Sequence, residues 1–264
     1  MKKILVPVDF SETSENALFF ACTLFGPSAV EITLLHIYGT QSTALLMKSI
    51  DGLLIKEAKE KLNILVEKVK EKAPKVAVKI KLAKNYPVQS IVSLGKNGNY
   101  DFIVMGTKGA SGIKEVFLGS VAGGVIAKSK VPVIVIPAKH TLPSANKIVF
   151  AVDDIGLLKP LNLEPLRQLA ELNSSKINIL HVAKKQTSEI TPSIKEINDL
   201  DATVSYIAGT GNINKDINDY LIKNEAGLLC LIRGKKGYID RLLSDSVTLK
   251  QTFNSPIPLL ILHE

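Results

Sequence analysis

The residues best suited to chemistry in this sequence are glycines at a fixed spacing in its first half. Gly106 and Gly109 are separated by two residues, and nine residues separate Gly109 from Gly119, which Ser120 follows. Gly106 directly follows an apolar run, and Gly119 precedes a segment with a helical pattern. Phosphates favour such a place, because helix N-terminal amides attract anions and glycines let the backbone come close. Lys108 would add a positive charge, and the Ser120 hydroxyl could donate to a phosphate oxygen.

One carboxylate, Asp9, stands at the end of the first apolar run, KKILVPVD. Doubly wound sheets bind ligands at the carboxyl ends of their strands, so we expect Asp9 to lie near the glycines. There it could accept a hydrogen bond from a ribose or an adenine group. The alternative is that Asp9 belongs to a helix start, with Ser11 or Thr13 as the N-cap. No serine, cysteine or histidine constellation suggests a nucleophile, so no catalytic residue is predicted.

The sequence repeats itself, and this repeat defines the predicted domains. The block KKILVPVD at 2–9 recurs as NKIVFAVD at 146–153, and the block VPVIVIP at 131–137 recurs as IPLLILH at 257–263. The first pair is offset by 144 residues and the second by 126, so the second copy is shorter. We therefore predict two domains, 1–138 and 146–264, joined by the polar linker AKHTLPSAN.

Within each copy, short runs rich in Val, Ile and Leu alternate with helical patterns. Runs without polar alternation predict strands that are buried on both faces, as in a parallel sheet. The first copy has strands predicted at 3–8, 32–37, 76–82, 102–105 and 133–136, and helices at 13–24, about 44–73, 88–96 and 120–128. Strands that alternate with crossover helices predict a doubly wound α/β sheet in each domain.

Composition excludes several classes of function. The net charge of +8 comes mostly from dispersed lysines, aromatics are 5% and Trp is absent, which argues against a specific nucleic-acid site. No apolar run approaches the ~20 residues of a membrane span, and the N-terminal apolar run is too short for a signal peptide, so we expect no membrane partner and a cytoplasmic protein. Cys22 and Cys230 lie in apolar segments and are expected to be buried thiols. His36 and His181, at the ends of apolar strands, are expected to be structural.

Gly106, Gly109, Gly119 and Ser120 match every element of the pattern G-x2-G-x9-G-[ST]. The first copy therefore resembles the nucleotide-binding members of the universal stress protein family, and the opening KKILVPVDFSETSENAL is similar to that family's first block. The resemblance covers both copies and implies two tandem five-stranded parallel sheets of strand order 3-2-1-4-5, an adenine nucleotide alpha hydrolase-like fold. It also implies an ATP site made, by position, from Pro7, Val8, Asp9, Ile37, Gly106, Lys108, Gly109, Gly119, Ser120 and Val121.

The second copy departs from the glycine pattern. Aligned without a gap, it has Ile232, Lys235 and Asp245 at the three glycine positions; a two-residue gap brings in Gly234 and Gly237 but leaves Asp245. At ~5 Å and an effective dielectric near 20, a carboxylate there would repel one phosphate charge by about 3 kcal/mol. Ala151 also replaces Pro7. We therefore predict one nucleotide per chain, bound in the first domain.

The leading hypothesis is an ATP-binding universal stress protein that acts as a nucleotide-controlled regulator or adaptor of an unidentified protein partner in stress response. The resemblance further implies an intramolecular pseudo-dimer that pairs the terminal strands of the two copies, and it leaves further homodimerisation open. One alternative is a slow ATP hydrolase, with Mg²⁺ on the phosphates and Asp9 helping to hold it. The other is a protein- or lipid-binding scaffold without a nucleotide.

Overall fold

A computed structural model of the protein describes residues 1–26, 29–39, 47–84, 86–107, 119–138, 145–152, 162–183, 201–233 and 255–263. These residues fall into two compact units, the first ending at Ala138 and the second beginning at Ala145. Both units are built from parallel strands and crossover helices. That each unit is a separate domain with the boundaries given above stays a prediction.

The first unit is a five-stranded parallel sheet with helices between its strands. Its elements are β1 (Lys2–Pro7), α1 (Glu12–Phe25), β2 (Val30–Tyr38), α2 (Met47–Lys72), β3 (Ala77–Lys84), α3 (Pro87–Asn97), β4 (Phe102–Gly106), α4 (Ser120–Lys128) and β5 (Val133–Ile136). The strand order is β3-β2-β1-β4-β5, so the predicted order 3-2-1-4-5 is confirmed. The predicted start of the second helix near residue 44 lies outside the described residues.

The second unit has the same strand order. Its elements are β6 (Lys147–Val152), α5 (Glu164–Asn173), β7 (Lys176–Ala183), β8 (Ala202–Ala208), α6 (Ile213–Lys223), β9 (Leu228–Arg233) and β10 (Leu259–His263). Its strands run in the order β8-β7-β6-β9-β10. Ile4 of β1 lies opposite Ile32 of β2, and the corresponding Ile148 of β6 lies opposite Ile177 of β7. The two units therefore share strand register as well as strand order.

The core of the first unit lies on both faces of β1, β2, β4 and β5, as the apolar runs predict. The prediction of a buried strand is wrong for β3, whose apolar residues alternate with lysines and which is mostly exposed. Ile4, Leu5 and Val6 of the central strand β1 are fully buried. On α2, apolar residues at alternating spacings of three and four face inward, and the buried ones are Ala58, Leu62, Leu65 and Val69. Burying each large aliphatic side chain contributes roughly 1.5–3 kcal/mol, so these faces fix the position of the strand ends.

Both cysteines are buried, as expected. Burial raises the pKa of the Cys22 thiol on α1 to about 12, and it also raises the pKa of Cys230 in the centre of β9. No helix in the described part of the chain is both long enough and apolar enough to cross a bilayer.

Candidate functional site

A cavity of about 180 Å³ lies in the first unit, at the carboxyl ends of β1 and β4. β1 pairs with β2 on one side and β4 on the other, so the cavity is at the switch in strand order. Eight of the ten predicted site residues line it: Pro7, Val8, Asp9, Ile37, Gly106, Gly119, Ser120 and Val121. The other two, Lys108 and Gly109, lie outside the described residues.

Asp9 sits in a tight turn between β1 and α1. The backbone N–H and the hydroxyl of Ser11 both donate to Asp9 Oδ1, at 3.1 and 2.5 Å. Ser11 is also the N-cap of α1, because its Oγ accepts from the Ser14 N–H at 3.3 Å. The two interpretations of Asp9 are therefore compatible: its carboxylate braces the helix start and also lines the cavity.

The first turn of α4 forms the opposite wall of the site. Gly119 is its N-cap, with φ −56° and ψ 155°, and it offers no side chain to the helix amides. Its own N–H donates to the Thr107 carbonyl at 2.6 Å, which joins the end of β4 to the start of α4. Ser120, Val121 and Ala122 follow and line the cavity. The first N–H groups of a helix have no intrahelical partner, so this wall is suited to an anion.

Gly106 has a packing reason to be a glycine, beside the phosphate approach that stays a prediction. We expected it to let the backbone approach a phosphate. A Cβ at this position would lie 2.5 Å from Thr13 Cγ2 and 3.0 Å from the Thr13 carbonyl oxygen. The absence of a side chain is therefore required by the packing of α1 against the end of β4, which brings Asp9 and Gly106 to one cavity.

The sequence did not predict six of the residues that line the cavity, which are Ser14, Pro87, Ile91, Met105, Thr107 and Ala122. Met105, Thr107 and Ala122 adjoin predicted residues and could have been included on that ground. Pro87 and Ile91 belong to α3, which no site motif marks. α3 is positioned by α4: a Cβ on Gly124 would lie 2.7 Å from Val88 Cγ2, so the two helices pack closely at this glycine.

The fold is α/β, and its first unit has a cavity at the switch in strand order, where doubly wound sheets commonly bind ligands. The sequence model described as the universal stress protein family matches residues 1–137. The chain therefore belongs to the universal stress protein family, and the predicted family is confirmed.

Individual relatives agree with this assignment. A universal stress protein of Methanocaldococcus jannaschii is 34% identical over 161 residues, which cover 53% of this chain and 97% of that protein. The crystal structure of a universal stress protein from Archaeoglobus fulgidus covers 99% of this chain and 96% of its own, with a TM-score of 0.74; at 21% identity, this likeness shows the fold alone. Another universal stress protein, solved in complex with cAMP, is 21% identical, covers 52% of this chain and has a TM-score of 0.36, so its ligand remains a property of that protein.

Proposed function

We propose that the first unit binds ATP in this cavity and that the chain is a nucleotide-controlled regulator or adaptor of a protein partner. The observation that carries the proposal is the uncapped first turn of α4, which faces the same cavity as the Asp9 carboxylate. One wall thus suits an anion and the other offers a hydrogen-bond acceptor. ATP fits both walls, because its phosphates are anions and its ribose and adenine groups can donate hydrogen bonds.

The lining divides into an apolar part and a polar part. Val8, Ile37, Ile91 and Met105 supply apolar surface for an adenine ring. The cavity volume of about 180 Å³ is below the 300–1,000 Å³ of typical drug-sized sites, so it would enclose only part of ATP. The phosphates would then extend along the first turn of α4, where Gly119 and Ser120 lie. The other predicted phosphate ligands, Lys108 and Gly109, are outside the described residues.

Magnesium fits this site only when the phosphates of ATP supply part of its coordination. Among the described residues, no group of three or more His, Cys, Asp or Glu side chains is placed to hold a metal ion. Asp9 is the carboxylate that the cavity offers, and its Oδ1 already accepts two hydrogen bonds from Ser11. A bound Mg²⁺ would therefore take most of its ligands from ATP and water, as this cation commonly does.

The deciding experiment is calorimetric titration of the purified full chain with ATP, ADP, AMP and GTP. We expect saturable binding of the adenine nucleotides, with ATP the tightest because its phosphates reach the α4 amides. Absence of binding by all of them would overturn the proposal. Steady ADP release that is lost in Asp9→Ala would instead favour the slow hydrolase.

The regulatory role, the protein partner and the cytoplasmic location are part of the same proposal. The expected pairing of the two terminal strands in a pseudo-dimer and any further homodimer also stay predictions. Capture of a partner from a lysate in the presence of ATP, and its loss on exchange for buffer, would test the adaptor role.

A further inference from the structure

The residue that follows Asp9 has a backbone conformation that is costly for its type. Phe10 has φ 65°, in the left-handed region that side chains other than glycine rarely adopt. Such conformations persist only where surrounding contacts hold them, and they cluster at functional sites. Phe10 is the middle of the short turn that carries Asp9, so its contacts determine where the carboxylate lies.

His36, at the end of β2, contacts the residue on each side of Asp9. Its ring lies against the ring of Phe10, with centroids 4.4 Å apart and planes inclined by 35°. Its Nδ1 lies 2.9 Å from the Val8 carbonyl oxygen. A carbonyl oxygen only accepts, so Nδ1 carries the hydrogen and donates it. The Val8 N–H in turn donates to Leu35 at 2.8 Å, so both backbone groups of Val8 are tied to β2.

A third group completes the support of Phe10. Lys61 Nζ of α2 lies 5.5 Å from the centroid of the Phe10 ring, within the range of a cation–π contact. The turn around Asp9 is thus held from β2 by His36 and from α2 by Lys61. Neither His36 nor Lys61 lines the cavity itself, so any effect they have on a ligand acts through the turn.

We propose that His36 is a positioning residue for the nucleotide site, which holds Val8 and Phe10 so that the Asp9 carboxylate faces the ligand. This inference rests on the proposed ATP binding. The sequence predicts a structural role for His36, and its contacts with Val8 and Phe10 mean that the structure it supports is the turn that carries Asp9. His181, the corresponding histidine of the second unit, provides a matched comparison, because it is buried and lies in a unit for which no nucleotide is predicted.

The test is a double-mutant cycle on ATP affinity, measured by calorimetry on the full chain. His36→Phe keeps a ring against Phe10 but removes the donor to Val8, and we expect it to weaken ATP binding about threefold to tenfold, the range of one neutral hydrogen bond. His36→Asn, whose amide can replace Nδ1 as a donor, should recover part of this loss. In an Asp9→Ala background, His36→Phe should have no further effect, because its action passes through Asp9.

His181→Phe is the control and should leave ATP affinity unchanged, whatever it does to the melting temperature. If His36→Phe fails to fold, His36→Gln, whose amide extends beyond the Nδ1 position, replaces it in the same cycle. Additive effects of His36→Phe and Asp9→Ala, or wild-type affinity in His36→Phe, would overturn the inference while ATP binding stands. No ATP binding by the unmodified chain would overturn the proposed function and this inference with it.

Discussion

The two units have the same strand order but differ in the number of residues between the first strand and the next described helix. In the first unit, four residues (8–11) separate β1 from α1, and Ser11 caps the helix. In the second unit, α5 is the next helix of the described residues after β6 and begins eleven residues further on (153–163 intervene, of which 153–161 lie outside the described residues); its N-cap, Leu163, makes no side-chain cap hydrogen bond. Strand register is held by buried faces, so the two sheets can keep the same register although the number of residues between the first strand and the next described helix differs.

The end of the fourth strand differs in the same way. Gly106 lies opposite Ile136 in the first unit, and Ile232 lies opposite Leu262 at the corresponding place in the second. The first unit needs a glycine there because Thr13, in the first turn of α1, lies close by. The second unit accepts an isoleucine. This difference teaches that the repeat preserved the scaffold, while the short turn and the glycine that together shape the cavity are properties of the first unit.

The largest expected effect comes from giving Gly119 the residue that the second copy has at the corresponding position. Gly119→Asp should weaken ATP binding about 100-fold, because its carboxylate would compete for the α4 amides and repel a phosphate by about 3 kcal/mol. The backbone angles of Gly119 (φ −56°, ψ 155°) suit an Asp N-cap, so the folded state should gain about a few tenths of a kcal/mol. Calorimetry and thermal unfolding together would show affinity and stability moving in opposite directions.

Gly119→Asn is the matched control for this substitution. It has nearly the size of Asp and also caps helices, but it carries no charge. We expect it to retain most of the ATP affinity. Equal losses of ATP affinity in the Asp and Asn variants would assign the effect to side-chain size. Wild-type affinity in the Asp variant would contradict the assignment of a phosphate to this helix start.

Two cysteines allow the ligand response of each unit to be read separately. The raised pKa values of Cys22 and Cys230 keep both thiols protonated and unreactive at pH 8, so alkylation requires opening of the fold. Because the folded state favours the protonated thiols, the raised pKa values also make stability depend on pH. The stability linked to the Cys22 thiol is fully present below the ordinary thiol pKa and is lost as pH rises toward the pKa of the folded state, about 12. At 100 times its Kd, ATP stabilises a site by about 2.7 kcal/mol, so alkylation of Cys22 should slow about 100-fold.

Cys230 serves as the internal reference in the same sample. If ATP binds the first unit alone and the units open independently, the alkylation rate of Cys230 should not change. Mass spectrometry of peptides after timed labelling would measure both rates at once. If ATP slowed the alkylation of both cysteines equally, the second unit would also respond to the ligand, which contradicts a site in the first unit alone.

A smaller effect, on stability, tests why Gly106 is a glycine. Gly106→Ala should lower the free energy of unfolding by about 1–3 kcal/mol, because the new Cβ overlaps Thr13. Thr13→Ser removes the nearest methyl group and should recover part of the loss. Gly52→Ala on α2, where a Cβ meets no atom within 4 Å, is the control and should stabilise by ~0.5–1 kcal/mol. Unchanged stability in Gly106→Ala with lost ATP binding would favour the phosphate explanation instead.

Gly106 also marks the limit of what the sequence could predict. The apolar run placed Gly106 directly after a strand, and the structure makes it the last residue of β4. The strands of the first unit fall within about two residues of their predicted bounds, because four of the five are mostly buried and rich in Val, Ile and Leu. The packing partner of Gly106, Thr13, could not be predicted, since the contact depends on where α1 lies over the sheet. The left-handed φ of Phe10 was equally hidden, because no local rule places a phenylalanine there.

The smallest effect is a factor of two in stoichiometry. We expect one ATP per chain by equilibrium dialysis, because the second copy has eleven residues rather than four between its first strand and the next described helix, carries Ile232 at the place of Gly106 and has Asp245 at the third glycine position. Asp245 itself lies outside the described residues, so its contribution rests on the sequence alignment. Asp245→Gly by itself should not create a tight second site, because removing one repulsive charge changes neither Ile232 nor the number of residues between β6 and α5.

A plateau near two ATP per chain in the unmodified protein would show that the second unit binds nucleotide by a different arrangement. A plateau near two only in Asp245→Gly would show that this carboxylate alone had blocked the second site.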